Sequence, residues 1–214
     1  MSSSYLMGAS DADPEMGAFL QLKNSWGNQP MIWNALAKKY AKEINATGFS
    51  FDDWEKLMRW VYSSGKLAPF ELNVFAMADE GNYIEGGEDM QIYAQSLRKF
   101  AEVYSEPNIV CHLPLAASRI EELVKENKVR WLAWYGTSIN ANPWQIREDT
   151  GTPEEEQDEE YEPEYRPYNM LTDLGRPLYD SGATVERVKM LPLSHDPAPY
   201  SALRQYRKVV DASK

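Results

Sequence analysis

The residues best suited to do chemistry in this chain are carboxylates, and they are concentrated in one segment. From Glu148 to Tyr165 the chain reads EDTGTPEEEQDEEYEPEY, which contains ten acidic residues and no Lys or Arg. The whole chain has 33 acids and 22 bases, so without these ten it would have 23 acids against 22 bases. Almost all of the net charge of −11 therefore belongs to this acidic tract (residues 148–164), and the chemistry that it favours is electrostatic binding.

Two interpretations fit the acidic tract. A run of like charges repels itself and cannot bury apolar area, which is typical of a solvated, disordered linker. The alternative is an arm that docks on a basic surface. Tyr161, Tyr165 and Tyr168 lie within or beside the tract and would supply contact area that bare charge lacks. Pro163 and Pro167 favour an extended chain, which reduces the entropy lost on binding.

Mimicry of a nucleic acid by the tract alone is disfavoured by its charge density. Duplex DNA carries one charge per ~1.7 Å of its axis. The residues from 148 to 165 span roughly 60 Å when extended, so their charges average one per ~6 Å. Gly151, Pro153 and Pro163 prevent the long helix that would raise this density. Mimicry would need further acids from the folded body.

A second group of carboxylates lies between Ala78 and Asp89, in the sequence ADEGNYIEGGED. Hard divalent cations take carboxylate oxygens, so a metal site is one interpretation. The spacing does not fit the EF-hand pattern, however, and acids also gather at helix N-termini without any ion. We therefore predict a capped loop between helices and no metal site.

Nucleophilic catalysis has little support in the sequence. The only histidines are His112 and His195, and Cys111 directly precedes the first of them. In a strand, neighbouring side chains point to opposite faces, so Cys111 and His112 would not form a nucleophile–base pair. No GxSxG, HExxH, CxxC or Walker motif occurs. We predict no catalytic residue and no cofactor. A carboxylate-dependent hydrolase stays open as a third function, because acid pairs assemble from distant positions.

The elements that must position these residues are mostly helical. Apolar residues recur at helical spacing in five stretches that are bounded by capping residues, Gly or Pro. The predicted helices cover residues 29–45, 50–63, 69–80, 88–104 and 113–125, and a shorter helix is predicted at 16–26. Met1 to Glu15 has neither the basic nor the apolar region of a signal peptide and is predicted as a flexible leader.

Strand formers first dominate at Val129 to Tyr135, VRWLAWY, which predicts a strand with a weak return strand after it. Val185 to Leu191 predicts a short strand, and Ser201 to Asp211 a last, basic helix. The fold class predicted is α+β and mainly helical, with about five helices, a small β-hairpin, an acidic extended segment and a C-terminal helix. The predicted divisions are 1–15 (leader), 16–147 (folded domain), 148–180 (acidic, Pro/Tyr-rich segment) and 181–214 (strand and basic helix).

Two tryptophans do not fit the apolar stripes of their elements. Trp60 lies off the stripe of its helix, and Trp131 alternates with Leu132 in its strand. An exposed Trp is a candidate interface anchor, because Trp is enriched at binding hot spots. A strand that is covered on both faces would also place Trp131 off the stripe.

A DNA-binding alternative comes from the order helix, turn, helix, strand at residues 88–135, which resembles a winged helix. Ser118, Arg119 and Lys125 would lie on the second helix, with Lys128 and Arg130 at the wing. Arg204, Arg207 and Lys208 make the last helix basic. Residues 1–147 nevertheless hold 14 bases against 18 acids, a poor electrostatic match for DNA. Direct contact with nucleic acid is therefore not expected.

The function predicted from the sequence is non-catalytic protein binding, in which the acidic arm engages a basic surface. An inhibitor or accessory factor of a nucleic-acid-handling machine would fit, because such machines expose basic channels. The predicted contact residues are Glu154, Glu155, Glu156, Asp158, Glu159, Glu160, Tyr161, Tyr165, Trp60 and Trp131. The runner-up is a winged-helix-like DNA-binding protein with an autoregulatory acidic segment. One cysteine and no apolar run of about 18 residues predict a cytoplasmic protein that does not enter a membrane.

Overall fold

The fold is known from a computed structural model, which describes residues 3–23, 28–46, 51–136, 142–148, 164–176, 178 and 185–204. In these ranges the helices are α1 (Asn28–Lys39), α2 (Phe51–Ser63), α3 (Pro69–Ala78), α4 (Gly87–Val103), α5 (Pro107–Lys125) and α6 (Ser201–Arg204). The strands are β1 (Ser3–Ala9), β2 (Gly17–Lys23), β3 (Lys66–Leu67), β4 (Asn82–Glu85), β5 (Trp131–Gly136), β6 (Gln145–Arg147), β7 (Tyr165–Pro167), β8 (Glu186–Arg187) and β9 (Ala198–Pro199).

A five-stranded mixed sheet with the order β2-β1-β5-β4-β8 organises the molecule. Strand β5 is central and pairs antiparallel with both β1 and β4, while β8 pairs parallel with β4. Two further sheets have two strands each, β3 with β9 and β6 with β7. Strand β5 contains no charged residue, which suits a strand buried between two layers.

The two faces of the sheet carry separate cores. Leu132 and Trp134 point into a large core that is shared with α1 to α5. Trp131 and Ala133, which alternate with them, point into a smaller core that also contains Ile146 of β6 and residues that follow β7. The molecule therefore has three layers, in which the sheet lies between the helices and the β6–β7 hairpin.

This architecture corrects the predicted fold class. The chain is α+β, but it is not mainly helical with one small hairpin, because a five-stranded mixed sheet and two small sheets accompany six helices in the described residues. The missing strands either lack an alternation of apolar residues or pair with partners far along the chain. Strand β1 buries Ser4 and Gly8 beside Leu6, and β4 has four residues that pair with the distant β5. Local periodicity carries little information on such pairing.

The largest difference between the predicted and the observed secondary structure lies at the start of the chain. Residues 3–9, which we predicted as part of a flexible leader, form β1, and its burial alternates with a period of two. The helix predicted at 16–26 is instead strand β2, which pairs with β1. Its apolar residues Phe19, Leu20 and Leu22 cover too short a run to separate a helix from a strand.

The helices agree better with the sequence. Helices α2, α3 and α4 lie where the apolar stripes predict them, and α1 begins at Asn28 and ends earlier than predicted. Helix α5 starts at Pro107 and carries Pro114 in its interior, whereas we predicted its start at Leu113-Pro114. Both prolines suit a helix start by residue type, and only Pro107 takes that position.

The C-terminal segment packs into the helical core. Asn73 in α3 exchanges two hydrogen bonds with the backbone of Leu191, at 2.8 and 2.9 Å, and also donates to Ser96. Asn82 donates to the Tyr200 hydroxyl, and Asp89 accepts from the Met190 N–H. Residues 185–204 are thereby fixed against α3, β4 and α4. Within the described ranges, no helix combines the length and apolarity needed to span a membrane.

Candidate interaction surface

The acidic tract is closed at its base by a β-ladder. Strands β6 and β7 pair antiparallel, with Ile146 opposite Arg166 and Arg147 opposite Tyr165. Beyond the ladder, the Glu148 N–H donates to the Glu164 carbonyl at 2.8 Å. Both ends of the tract therefore leave the folded body at one place. Eight of the ten acids lie between them, at positions 149–163, outside the described residues.

The hairpin base is anchored in the smaller core. Trp144, Ile146, Tyr168 and Met170 are buried there against the sheet. The Trp144 and Tyr168 rings meet edge to face with centroids 5.8 Å apart, and the Tyr168 N–H donates to the Trp144 carbonyl at 2.8 Å. Large aromatic side chains bury much apolar area, so the two strands are held firmly on the sheet.

An ion pair ties the hairpin to the turn that follows it. The Arg166 guanidinium donates two hydrogen bonds to Asp173, at 2.6 and 2.7 Å, and its Nε lies 3.0 Å from Glu148. Asp173 is buried and also accepts from the Asn169 N–H at 2.8 Å. Because Arg166 donates to it, the pKa of Asp173 is lowered, and the pKa of Arg166 is raised by the same hydrogen bonds.

Three exposed apolar side chains flank this ion pair. Tyr165 precedes Arg166 and is 40% exposed, while Leu171 and Leu174, on either side of Asp173, are 55% and 49% exposed. We call Tyr165, Leu171 and Leu174 the base patch. Apolar side chains that are exposed near one another can form the apolar centre of a binding surface.

The structure brings few of the predicted contact residues together. The six tract acids and Tyr161 lie outside the described residues, and Tyr165 is exposed at the hairpin base. Trp131 is only 5% exposed, because it lies under the hairpin in the smaller core. Arg130 covers its ring at 4.6 Å. Trp131 therefore supports the hairpin from below and does not present a contact face.

Trp60 lies apart from the hairpin, in the helical layer. Its ring packs against Tyr40, with centroids 4.9 Å apart, and against Gly65. A Cβ atom at Gly65 would come within 2.6 Å of that ring. The close approach explains why Trp60 deviates from the apolar stripe of α2 without serving as an exposed anchor.

The sequence analysis did not identify four residues of this surface, namely Arg166, Leu171, Asp173 and Leu174. The local pattern that could have indicated them is the turn-forming segment from Asn169 to Asp173, NMLTD. In it the Asn169 side chain accepts hydrogen bonds from the N–H groups of Leu171 and Thr172. Asn and Asp side chains commonly form such turns, because they bond to the backbone two residues further along the chain. The turn could have been predicted, whereas its contact with Arg166 depends on the tertiary fold.

Three of the basic residues of the winged-helix alternative form ion pairs within the molecule, whereas Arg207 and Lys208 lie outside the described residues. Helices α4 and α5 run antiparallel, since Gly87 at the start of α4 lies against Val124 near the end of α5. Arg119 pairs with Glu122, Lys128 with Glu126, and Arg130 with Glu85 and Asp11. Strand β5 is the centre of a sheet, whereas a wing is an exposed hairpin. Acidic residues beside these bases reduce the net positive charge that phosphate binding needs.

The carboxylates of residues 78–89 are dispersed among protein partners. Asp79 accepts from the Tyr62 hydroxyl at 2.5 Å, and Glu85 lies between Arg130 and Arg187. Asp89 is buried beneath Met190, and burial raises its pKa. Among the described residues, no group of three or more His, Cys, Asp or Glu side chains is placed to hold a metal ion.

One buried carboxylate has the surroundings of a reactive group. Glu71 in α3 accepts hydrogen bonds from Lys39 at 2.5 Å, from the Tyr40 hydroxyl at 2.7 Å, from the Tyr104 hydroxyl, and from the Ala68 N–H at 3.1 Å. Burial and the adjacent carboxylate raise the pKa of Tyr40 and of Tyr104. Four donors use the lone pairs of both oxygens, so Glu71 ties α1, α3 and α4 together and has little capacity left for a substrate.

The cysteine–histidine neighbours lie in α5, which corrects our use of strand geometry for them. Cys111 is exposed and His112 is half-buried. Adjacent helix positions also diverge, by about 100° around the axis. The two side chains therefore still point in different directions.

No protein-family model, no curated protein and no solved structure matches this chain.

Proposed function

We propose that this protein is a non-catalytic binding factor whose acidic tract (residues 148–164, called the acidic loop below) engages a basic surface on a partner protein. The observation that carries the proposal is the closed base of the tract, where the Glu148 N–H meets the Glu164 carbonyl. A linker between two units would enter and leave at separate places. A tract whose ends are joined on a rigid base presents its charge as one localised field.

The base patch gives the loop a second means of binding. Long-range attraction between opposite charges accelerates the encounter of two proteins, but it adds little to the lifetime of the complex. Buried apolar and aromatic contacts slow dissociation. Tyr165, Leu171 and Leu174 lie beside the loop ends and are exposed, so they are positioned to make those contacts.

The partner should carry a basic groove or channel. The eight acids between the loop ends would repel an anionic surface of a partner. They would attract a partner surface that carries a row of Lys and Arg residues. Enzymes that handle nucleic acids expose such channels, so this protein would act on one of them as an inhibitor or accessory factor.

We also propose that the protein acts in the cytoplasm, whose reducing conditions suit a chain with a single, exposed cysteine.

The test compares two variants of equal charge. In the first, Gln replaces Glu154, Glu155, Glu156, Asp158, Glu159 and Glu160. In the control, Gln replaces Glu43, Asp52, Glu55, Glu102, Glu122 and Glu126, which are exposed on the body. Both variants lose six negative charges. Each substitution of an exposed acid should change the free energy of unfolding by no more than about 0.5 kcal/mol. The body variant also loses four exposed ion pairs, which are worth at most about 1 kcal/mol each, so urea denaturation checks that both variants are folded.

The measurement is capture of proteins from host lysate at low and high salt, followed by the association rate with the captured partner. We expect the loop variant to associate much more slowly and to lose most of its salt dependence, while the body variant stays close to the wild type. The proposal fails if both variants bind equally. Tight binding of duplex DNA at physiological salt would favour the winged-helix alternative instead.

A further inference from the structure

Helix α5 has two apolar faces. Its inner face, with Ile109, Leu113 and Ile120, is buried in the helical core. Positions 107, 110, 111, 114 and 115 follow the i, i+3, i+4, i+7, i+8 spacing and share the outer side. We call Pro107, Val110, Cys111, Pro114 and Leu115 the outer stripe. Val110 is 50% exposed and Leu115 52%, and residues 107–118 include no charged residue. Exposed apolar side chains gathered on one face of a helix form a candidate interaction surface.

A groove lies at one end of the outer stripe. It has a volume of about 310 Å³ and runs between α1 and the start of α5. Met31 and Ala35 supply its apolar floor, and Pro107 and Asn108 form the wall on the α5 side. Pro107 therefore belongs both to the groove and to the stripe. The groove lies at one end of the stripe and the exposed Leu115 at the other. The surface is therefore complementary to itself, because Leu115 of one copy could enter the groove of another.

The charges around the stripe are matched in pairs. At the groove end Lys38 lies 3.5 Å from Glu106. At the other end Arg119 pairs with Glu122 at 2.9 Å, and Arg98 with Glu121 at 2.7 Å. Two copies of a chain with net charge −11 repel each other, and that repulsion is smallest where both surfaces are locally neutral. The occupant most compatible with this surface is a second copy.

We propose that α5 packs antiparallel against α5 of a second copy, with the two-fold axis at Cys111. Pro107 and Leu115 lie four residues on either side of Cys111, or about 6 Å along the helix. The two-fold axis therefore places Leu115 of each copy at the groove of the other. Every contact occurs twice, as a symmetric interface requires. The arrangement also brings Glu106 of one copy towards Arg119 of the other.

The dimer should be weak. A stable interface removes about 800 Å² of surface from each partner, and a stripe of five side chains offers less. We expect a dissociation constant in the micromolar range, so that monomer and dimer are both populated at ordinary laboratory concentrations. The acidic loop is not needed for this contact, so the dimer and the proposed function stand or fall separately.

Sedimentation velocity of the full chain over a range of concentrations tests the proposal. The wild type should shift from monomer to dimer as concentration rises. Leu115→Glu should weaken dimerisation at least tenfold, because it places a charge in the partner's apolar groove. Leu171→Glu, an equally exposed leucine in the base patch, should dimerise like the wild type. A wild type that stays monomeric, or a Leu115→Glu variant that dimerises normally, overturns the proposal and leaves the stripe to a different partner.

A chemical readout locates the contact. Diamide oxidises two thiols to a disulfide and takes up both electrons and both protons as its hydrazine. Cys111 is the only cysteine in the chain, so the only disulfide-linked product between chains joins two copies at this position. We expect the covalent dimer to form faster than in a Cys111→Ser, Glu102→Cys variant, whose thiol lies on α4. Equal rates would overturn the central position of Cys111.

Discussion

Arg166 on β7 and Asp173 in the following turn form a two-pronged ion pair, with N–O distances of 2.6 and 2.7 Å. Asp173 is buried, whereas Arg166 reaches it from the surface and also lies 3.0 Å from Glu148. One guanidinium thus connects both strands of the hairpin to the turn that carries Leu171 and Leu174. The geometry of the base patch depends on this contact.

Removal of the guanidinium should destabilise the fold. Arg166→Ala leaves the Asp173 carboxylate buried with the Asn169 N–H, the Thr172 hydroxyl at 3.4 Å and the more distant Arg176, so we expect a loss of about 2–3 kcal/mol in the free energy of unfolding. Arg176→Ala is the control, because Arg176 lies 3.8 Å from Asp173 and should cost less than 0.5 kcal/mol. Urea denaturation of both variants measures the difference, and equal losses would contradict the ranking.

The same ion pair predicts a pH dependence. The pKa of Asp173 is lower in the folded chain than in the unfolded chain, so its contribution is present above the unfolded pKa of about 3.9 and is lost as pH falls through the folded pKa. In Asp173→Asn this component is missing. We expect the difference in unfolding free energy between wild type and variant to be constant from pH 7 to about 5, and to shrink below about 4. A difference that does not change down to pH 3 would argue against the assignment.

Glu71 should be a strong determinant of stability. Glu71→Gln keeps the size of the side chain but removes the charge that faces Lys39 and converts one acceptor oxygen into a donor, which opposes the hydroxyl groups of Tyr40 and Tyr104. We expect a loss of about 2–4 kcal/mol in a denaturation experiment. Glu102→Gln, in an exposed pair with Lys99, should change stability by less than about 0.5 kcal/mol.

Trp131→Ala should act through folding. The ring is buried between the sheet and the hairpin layer, so its removal opens a cavity and should cost about 3–5 kcal/mol. If Trp131 were the exposed anchor that the sequence suggested, the variant would keep its stability and lose only partner binding. Thermal denaturation alongside a binding assay separates these two results.

The base patch should govern how long the proposed complex lasts. Tyr165→Ala and Leu174→Ala remove apolar contact and leave the charge unchanged, so we expect faster dissociation with little effect on association. Val103→Ala on α4 is the matched control, since Val103 has similar exposure and lies away from the hairpin. Stopped-flow kinetics with the captured partner measures the dissociation rate of each variant. If all three variants dissociate at the same rate, the base patch does not contribute to the lifetime of the complex.

Local signals predicted part of the fold. Helices α2, α3 and α4 carry long apolar stripes with recognisable ends, and they lie where those stripes indicate. Strand β5 was also predicted, because VRWLAWY is rich in strand formers. Strand β4 has four residues and pairs with a partner distant in sequence, while β1 buries Ser4 and Gly8 beside Leu6, so its apolar residues do not alternate. In β2 the apolar residues cover too short a run to separate a strand from a helix.

The candidate site divides in the same way. Composition alone located the acidic tract and suggested its role as a charged arm. The pairing of Glu148 with Glu164, and of Arg166 with Asp173, depends on how β6 and β7 settle on the sheet. The sequence therefore indicated which residues carry the charge, but not that both ends of the tract are fixed at one place.

The closed base also makes the chain divisible. The hairpin places β6 before the tract and β7 after it, and the later residues remain bound through Asn73, through the pairing of β8 with β4, and through the pairing of β9 with β3. A protease cut inside the tract would give a nicked protein whose two pieces stay associated. The tract is accordingly a natural split point, where two separately made polypeptides have the contacts to reassemble and where an inserted domain would leave both cores intact.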